Sequence, residues 1–233
     1  DYQFDLARGI GEGFLAPYRV LEIKTFLTRE AEEKGIEFNY VFDIDERKKI
    51  ELDQTKKLKL EQMEKKYLSE ERAMRIAEEI KNNTEYGEKM ILFGVSQTHC
   101  LMLANVINKL FDDNEEVAPR YGEVNTTLKE WFKNPNRKPY IAVSVDIMST
   151  GVDIPCVRFI GFSALTKSVG KYIQMLGRGT RLDTKSGKFS FTVLDFVGLC
   201  KRMEDTGKGT LKENVKIVKE MSGGHSICAV KEI

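Results

Sequence analysis

At 233 residues the chain is long enough for one large domain or two small ones, and a fold of this size buries roughly 70 to 75% of the surface its unfolded chain exposes. Lys and Arg number 37 against 36 Asp and Glu, a net charge of +1. That balance excludes whole-molecule attraction to nucleic acid and leaves any such contact to a local patch.

Residues 1 to 37 contain ARGIGEGFLAPYRVLEIK, a glycine-punctuated turn followed by alternating apolar positions, which reads as an extended segment or strand around Tyr18 to Ile23. FNYVFDIDER, residues 38 to 47, ends an apolar run on carboxylates but follows no phosphate loop. The G-x-x-x-x-G-K-[ST] template fails at Gly170-Lys171, Gly187-Lys188 and Gly207-Lys208 alike, so a solvated turn or linker is expected there. From about Glu46 to Asn82, Lys and Glu interleave with Leu, Met, Ile and Tyr at three- and four-residue spacing, the pattern of solvated amphipathic helices. Asn82-Asn83 and Gly87 mark a boundary.

Met90 to Val95 reads as a buried strand, and Ser96-Gln97-Thr98 caps a helix from about His99 to Phe111 whose apolar face is expected at Leu101, Ala104, Ile107 and Leu110 or neighbours. Strand, polar turn and helix N-terminus form an anion-binding geometry, while Ser96 and Thr98 also suit ordinary caps. His99 and Cys100 are adjacent, so on a helix they point apart and do not make a metal pair. A short extended piece around Arg120-Tyr121 and a helix around Thr126 to Phe132 follow, with Trp131 and Phe132 packed. Phe189 to Phe196 reads as the last strong strand, ended by Asp195. The tail from 201 to 233 reads as one helix near 211 to 221 and a loose end through Gly223-Gly224.

Cys100, Cys156, Cys200 and Cys228 form no C-x-x-C pair, so buried thiols in a reducing cytoplasm are expected and a structural zinc site is not. No apolar run of about 18 residues and no basic leader points to a membrane or to secretion. A chain opening at Asp1 is expected to be an excised domain or a processed product.

The chemistry concentrates in residues 141 to 181, IAVSVDIMSTGVDIPCVRFIGFSALTKSVGKYIQMLGRGTR. Ile141 to Val145 and Val157 to Phe162 are short apolar runs of the kind buried in parallel sheets. The loop between them, Ser149 to Pro155, leaves the carboxyl end of the first strand, where open α/β sheets usually bind ligands. Gln174, Arg178 and Arg181 are spaced zero, four and seven along a segment expected to be largely helical, so they should share one face. Gly177 and Gly179 each cost a helix interior about 1 kcal/mol relative to alanine, which points to close approach to something. A planar guanidinium there suits a phosphate.

QMLGRGTR resembles the Q-x-x-G-R-x-x-R signature, motif VI, of superfamily 2 helicases and translocases, and STGVDIP following VSVD resembles their motif V. The wording of both is most similar to the motor subunit of type I restriction-modification enzymes, over about residues 88 to 197, and GFLAPY is loosely similar to the stretch joining its two lobes. The resemblance implies a three-layer α/β/α RecA-like lobe with a mainly parallel sheet and a helical N-terminal extension. Residues 1–86 would be the connection and extension, 87–200 the lobe, and 201–233 a C-terminal helix and tail.

It further implies a second motor lobe that completes an ATP site on a missing N-terminal lobe. Arg181 would be the arginine finger, Arg178 its partner and Gln174 their aligning group. Gly151, Asp153 and Gly177 would line the nucleotide side, and Ser96, Gln97, Ser149 and Thr150 the nucleic acid. Many relatives have threonine directly before the motif V aspartate; this chain has Val145 before Asp146, and Ser144 or Ser149 would have to substitute. The implied partners are double-stranded DNA, the modification and specificity subunits and the missing lobe. ATP and Mg²⁺ would serve the full-length protein, with no activity in the fragment alone. The same motifs also fit another DNA or RNA helicase, or a docking or nucleotide-binding module that has lost the motor.

Overall fold

The computed structural model describes residues 6–24, 68–111, 118–120, 132–136, 139–145, 153–166, 168–205 and 228–232. In chain order the elements are α1 (Leu6–Gly11), β1 (Tyr18–Lys24), α2 (Glu70–Asn83), β2 (Lys89–Phe93), α3 (Gln97–Phe111), β3 (Ala118–Arg120), β4 (Ile141–Ser144), β5 (Val157–Phe162), α4 (Val169–Leu176), β6 (Phe191–Asp195), α5 (Leu199–Asp205) and β7 (Cys228–Glu232). The strands form a 7-stranded sheet in the order β3-β4-β2-β5-β6-β1-β7. Every neighbouring pair in it is parallel.

Period-2 alternation along the buried strands supplies both faces of the sheet. Ile91, Phe93, Ala142, Ile160 and Val193 join one core with Tyr172, Met175 and Leu176 of α4 and Leu199 and Cys200 of α5. Met90, Leu92, Val143, Phe159 and Leu194 join the other with Ile76 and Ile80 of α2 and Leu103 and Ile107 of α3. Helices therefore cover both faces, the three-layer α/β/α arrangement of a RecA-like lobe.

Local signals set the ends of the elements. The Ser69 hydroxyl accepts the Arg72 backbone N–H at 3.2 Å, and Glu70 and Glu71 fill the first turn of α2, where carboxylates meet the positive end of the helix dipole. Asp195 is fully buried at the end of β6. Its carboxylate accepts the backbone N–H groups of Val197, Leu199 and Cys200 at 2.7 to 3.1 Å, which starts α5, while burial pushes its pKa up.

β1 lies inside the sheet, between β6 and β7, with Tyr18 opposite Phe191 and Val20 opposite both Val193 and Cys228. Sheet and cores therefore take in elements from both sides of residue 86. The end of the tail, expected to be loose, is instead strand β7, because Cys228–Glu232 continues the hydrogen-bonding edge that β1 leaves open. Residues 38–67, the helix expected around 126–132 up to Trp131, and the helix expected near 211–221 lie outside the described residues. Phe132 is fully buried, as expected of a packed ring.

On α3, Ala104 and Ile107 are buried and Leu110 is half-buried as expected, but the inward stripe takes in Cys100 and Leu103 in place of Leu101. Cys100, Leu103, Ala104 and Ile107 are buried, while Leu101 is 41% exposed. The helix starts two residues earlier than expected, at Gln97, and it packs against α2 as well as the sheet, so the inward stripe follows Cys100 and Leu103. Leu103→Ala should therefore cost about 2–5 kcal/mol of stability, and Leu101→Ala about 0.5 kcal/mol or less. Urea unfolding of the two variants checks this, and a larger loss for Leu101→Ala would mean the helix faces the way the sequence alone suggests.

Candidate functional site

Ser168 opens α4 by accepting the Lys171 backbone N–H at 3.2 Å. Tyr172, Met175 and Leu176 face inward and Gln174 is exposed. The helix stops at Leu176. Beyond it the chain tightens into three-residue turns, with Arg178 N–H to Met175 O at 3.2 Å, Gly179 N–H to Leu176 O at 3.0 Å and the Thr180 hydroxyl to Gly177 O at 2.9 Å. Arg181 is thus off the helix, and the common helical face expected for Gln174, Arg178 and Arg181 does not form. A Cβ on Gly179 would overlap the ring of Phe191, the first residue of β6. The close approach that the glycine permits is internal, to a core aromatic.

The segment GFLAPY lies directly beside this turn. Ala16 N–H donates to Thr180 O at 2.7 Å, and Phe191 N–H donates to Pro17 O at 3.1 Å. Asp153 approaches from another side, its Oδ1 lying 3.4 Å from Arg181 Nε, with the two side chains 57% and 61% exposed. A pair this exposed contributes roughly 0–1 kcal/mol, so it orients two groups and leaves both free to meet a ligand. Arg178 is half-buried, and burial lowers its pKa, partly offset by Asp153 and reinforced by Arg181. Its guanidinium nevertheless stays charged at any working pH.

Lys188, which no sequence pattern singled out, lies beneath these groups and is fully buried. Its Nζ donates to Gly179 O at 2.7 Å, Arg181 O at 2.6 Å and Pro155 O at 3.0 Å. In sequence it appears only in the Gly187-Lys188 pair at which the phosphate-loop template fails, and only the tertiary contacts distinguish it.

Asp153 to Cys156 lead into β5, and Arg178 to Lys188 lead into β6, so this cluster sits at the amino ends of the strands. Expectation placed the loop that holds Asp153 at a carboxyl end. Parallel strands require the connection after β4 to cross back before β5 starts, and Asp153 lies on the far side of that crossing. Ser149, Thr150 and Gly151 lie outside the described residues. Gly177 sits at the C-cap of α4, donating to Ile173 O at 2.8 Å.

Ser96, Gln97 and Thr98 follow β2 at the opposite, carboxyl edge. The Ser96 hydroxyl accepts the His99 backbone N–H at 3.2 Å, so it caps α3, and Gln97 and Thr98 are exposed. His99 is buried, its Nδ1 accepting the Val95 N–H at 3.2 Å. Burial, with Arg72 nearby, lowers its pKa to about 3. Among the described residues, no group of His, Cys, Asp or Glu could hold a metal ion. Nor is any helix long and apolar enough to cross a membrane.

Residues 71–183 match the helicase conserved C-terminal domain. That stretch, with the RecA-like sheet around it, is similar to the C-terminal lobe of superfamily 2 helicases. More particularly, the lobe is related to the endonuclease subunits of type I restriction enzymes. The EcoAI subunit of Escherichia coli is 29% identical over 222 residues, covering 84% of this chain and 25% of that protein. The EcoKI subunit of Escherichia coli K12 is 42% identical over 130 residues, covering 50% of this chain and 11% of that protein. An HsdR-subunit fragment of a type I restriction enzyme from Vibrio vulnificus YJ016 superposes with a TM-score of 0.68 at 22% identity, over 100% of this chain and 39% of that one. The type ISP restriction-modification enzyme LlaBIII, bound to DNA, superposes at 0.54 and 13% identity, over 100% of this chain and 16% of that one. The chain therefore spans a quarter or less of the curated relatives' length.

Two outcomes test this geometry. Gly179→Ala should cost about 1–3 kcal/mol through overlap with Phe191, and Phe191→Leu should restore part of it in the double variant; thermal unfolding of the set reads this directly. For His99, the folded pKa lies below the unfolded 6.5, so its contribution is complete above pH 6.5. As pH falls toward 3 the unfolded chain takes up a proton that the buried imidazole refuses, and stability drops by about 1.4 kcal/mol per pH unit. Denaturation midpoints at pH 7, 6 and 5 should show this drop in the wild type. His99→Asn, whose side-chain oxygen can accept the Val95 N–H, should show a flatter trend.

Proposed function

We propose that this chain is the second motor lobe of the ATP-dependent DNA translocase of a type I restriction enzyme, and that its arginines complete an ATP site built on an N-terminal lobe. The observation that carries the reading is the placement of Arg178, Arg181 and Asp153 together at one edge of a helicase C-terminal lobe whose sequence holds no phosphate loop of its own. Phosphoryl transfer is accelerated mainly by positioning and by cations that meet charge developing on the γ-phosphate. Arg181, exposed and tethered only by a weak ion pair, is free to swing onto that phosphate when the lobes close. Arg178, held closer to the core, supports it, and Gln174 aligns the pair from the exposed side of α4. On this reading Gly151, Asp153 and Gly177 would line the nucleotide side of the cleft.

Duplex DNA would lie along Ser96, Gln97, Ser149 and Thr150, so that each closing and opening of the cleft steps the lobe along its track. Relatedness to restriction endonuclease subunits supports DNA, together with modification and specificity subunits, as partners. ATP is the substrate of the full-length protein. On this reading its Mg²⁺ arrives with the nucleotide on the other lobe, and the fragment alone is inactive.

DNA-stimulated ATP turnover by the full-length protein in its complex tests the proposal. Arg181→Ala should lower kcat about a hundredfold or more while ATP still binds. Unchanged turnover would remove the finger assignment, and a wild type without turnover would favour a docking module that keeps only the fold.

A further inference from the structure

We propose that Lys188 is a positioning residue that locks the loop carrying Arg178 and Arg181 to the loop carrying Asp153, through one ammonium shared by the carbonyls of Gly179, Arg181 and Pro155. Its functional meaning rests on the motor reading above, since Lys188 acts through Arg181 and touches no substrate.

An ammonium has three N–H donors and no acceptor, and here three carbonyls take all of them at 2.6 to 3.0 Å. The acceptors belong to segments that precede different strands, Pro155 before β5 and the other two before β6. One side chain therefore sets the spacing between the two loops. The shortest of its bonds goes to the carbonyl of Arg181 itself, which fixes the backbone from which the finger swings while the guanidinium stays outside.

The local chain is built to deliver this amine. Asp183 and Lys188 exchange both backbone hydrogen bonds, at 2.8 and 3.0 Å, around a turn that needs Gly187 at a φ of 67°. Arg158 on β5 donates to Ser186 O at 2.6 Å and pins the outer side of the same turn. Phe191, whose ring crowds Gly179, also lies 5.8 Å from Nζ and contributes a cation–π contact.

The charged and titratable groups facing the amine are Cys156, Arg158, Asp183 and Asp153. Burial, the largest influence, lowers the Lys188 pKa from 10.5 to about 8. Between those two values the unfolded chain binds the extra proton, so losing it from the fold does not destabilise the fold. It does remove a donor. A neutral amine has two N–H groups for three carbonyls, so the clamp loosens without unfolding.

The test uses the full-length protein in its complex, with DNA-stimulated turnover measured against ATP concentration and pH. Lys188→Met should lower kcat about tenfold to a hundredfold, because small misplacement of a reacting group has that effect, while KM for ATP stays within about threefold. The wild type should lose kcat as pH rises through about 8 with no matching fall in melting temperature, and Lys188→Met should lack that alkaline limb. Wild-type kcat in Lys188→Met beside an inactive Arg181→Ala would overturn the positioning role and leave the motor reading intact. Normal turnover by Arg181→Ala would overturn both. Should Lys188→Met fail to fold, the wild-type profile decides, and a flat kcat from about pH 7 to 9.5 overturns the proposal.

Discussion

Parallel strand pairing is the constraint on which the rest of this lobe depends. Every connection between parallel neighbours must leave at a carboxyl end and return to an amino end, so polar loops gather at two edges about one strand length apart, roughly 17 Å for five residues. Ser96, Gln97 and Thr98 belong to one edge, and Asp153, Arg178, Arg181 and Lys188 to the other. Two candidate surfaces with different chemistry thereby coexist on a small domain without competing. The sheet between them is buried on both faces, which makes it a stiff spacer.

At the amino edge, burial separates interlocked groups from groups that face solvent. Gly179, Phe191 and Lys188 are buried and interlocked, whereas the Arg181 and Asp153 side chains are mostly exposed. The ion pair between these two contributes little energy, yet their backbones are held by a fully desolvated ammonium with its hydrogen bonds satisfied. Breaking that ammonium's contacts would leave an unsolvated charge, a far larger penalty than losing a surface pair. Precision of the site thus comes from beneath it.

Much of this was legible in the sequence because it depends on local composition. Short β-branched runs at 90–95, 141–145, 157–162 and 189–196 give buried parallel strands, and each appears in the sheet near its expected bounds. The wording QMLGRGTR and STGVDIP picked out Arg178, Arg181 and Asp153, which the fold brings together at one edge. Where local reasoning failed, a distant partner was responsible. The glycines around Arg178 announce a close approach without saying to what, and at Gly179 the neighbour is Phe191, twelve positions on. Arg181 was placed on a helix by spacing alone, although the turn after Gly177 ends that helix. Cys228 to Glu232 read as a loose end because a strand's partner, here β1, is invisible at that separation.

By itself, then, the sequence determined the class of fold, the order of its core elements and the residue types offered at each edge, since hydrophobic periodicity and turn chemistry act over a few residues. Tertiary structure decided which of those residues meet. Lys188 acquires its role only when Pro155, Gly179 and Arg181 converge on it, the farthest from a position 33 residues away. Burial, and with it the altered proton affinity of that amine, is a property of packing density around a point in space, which no run of neighbouring letters specifies.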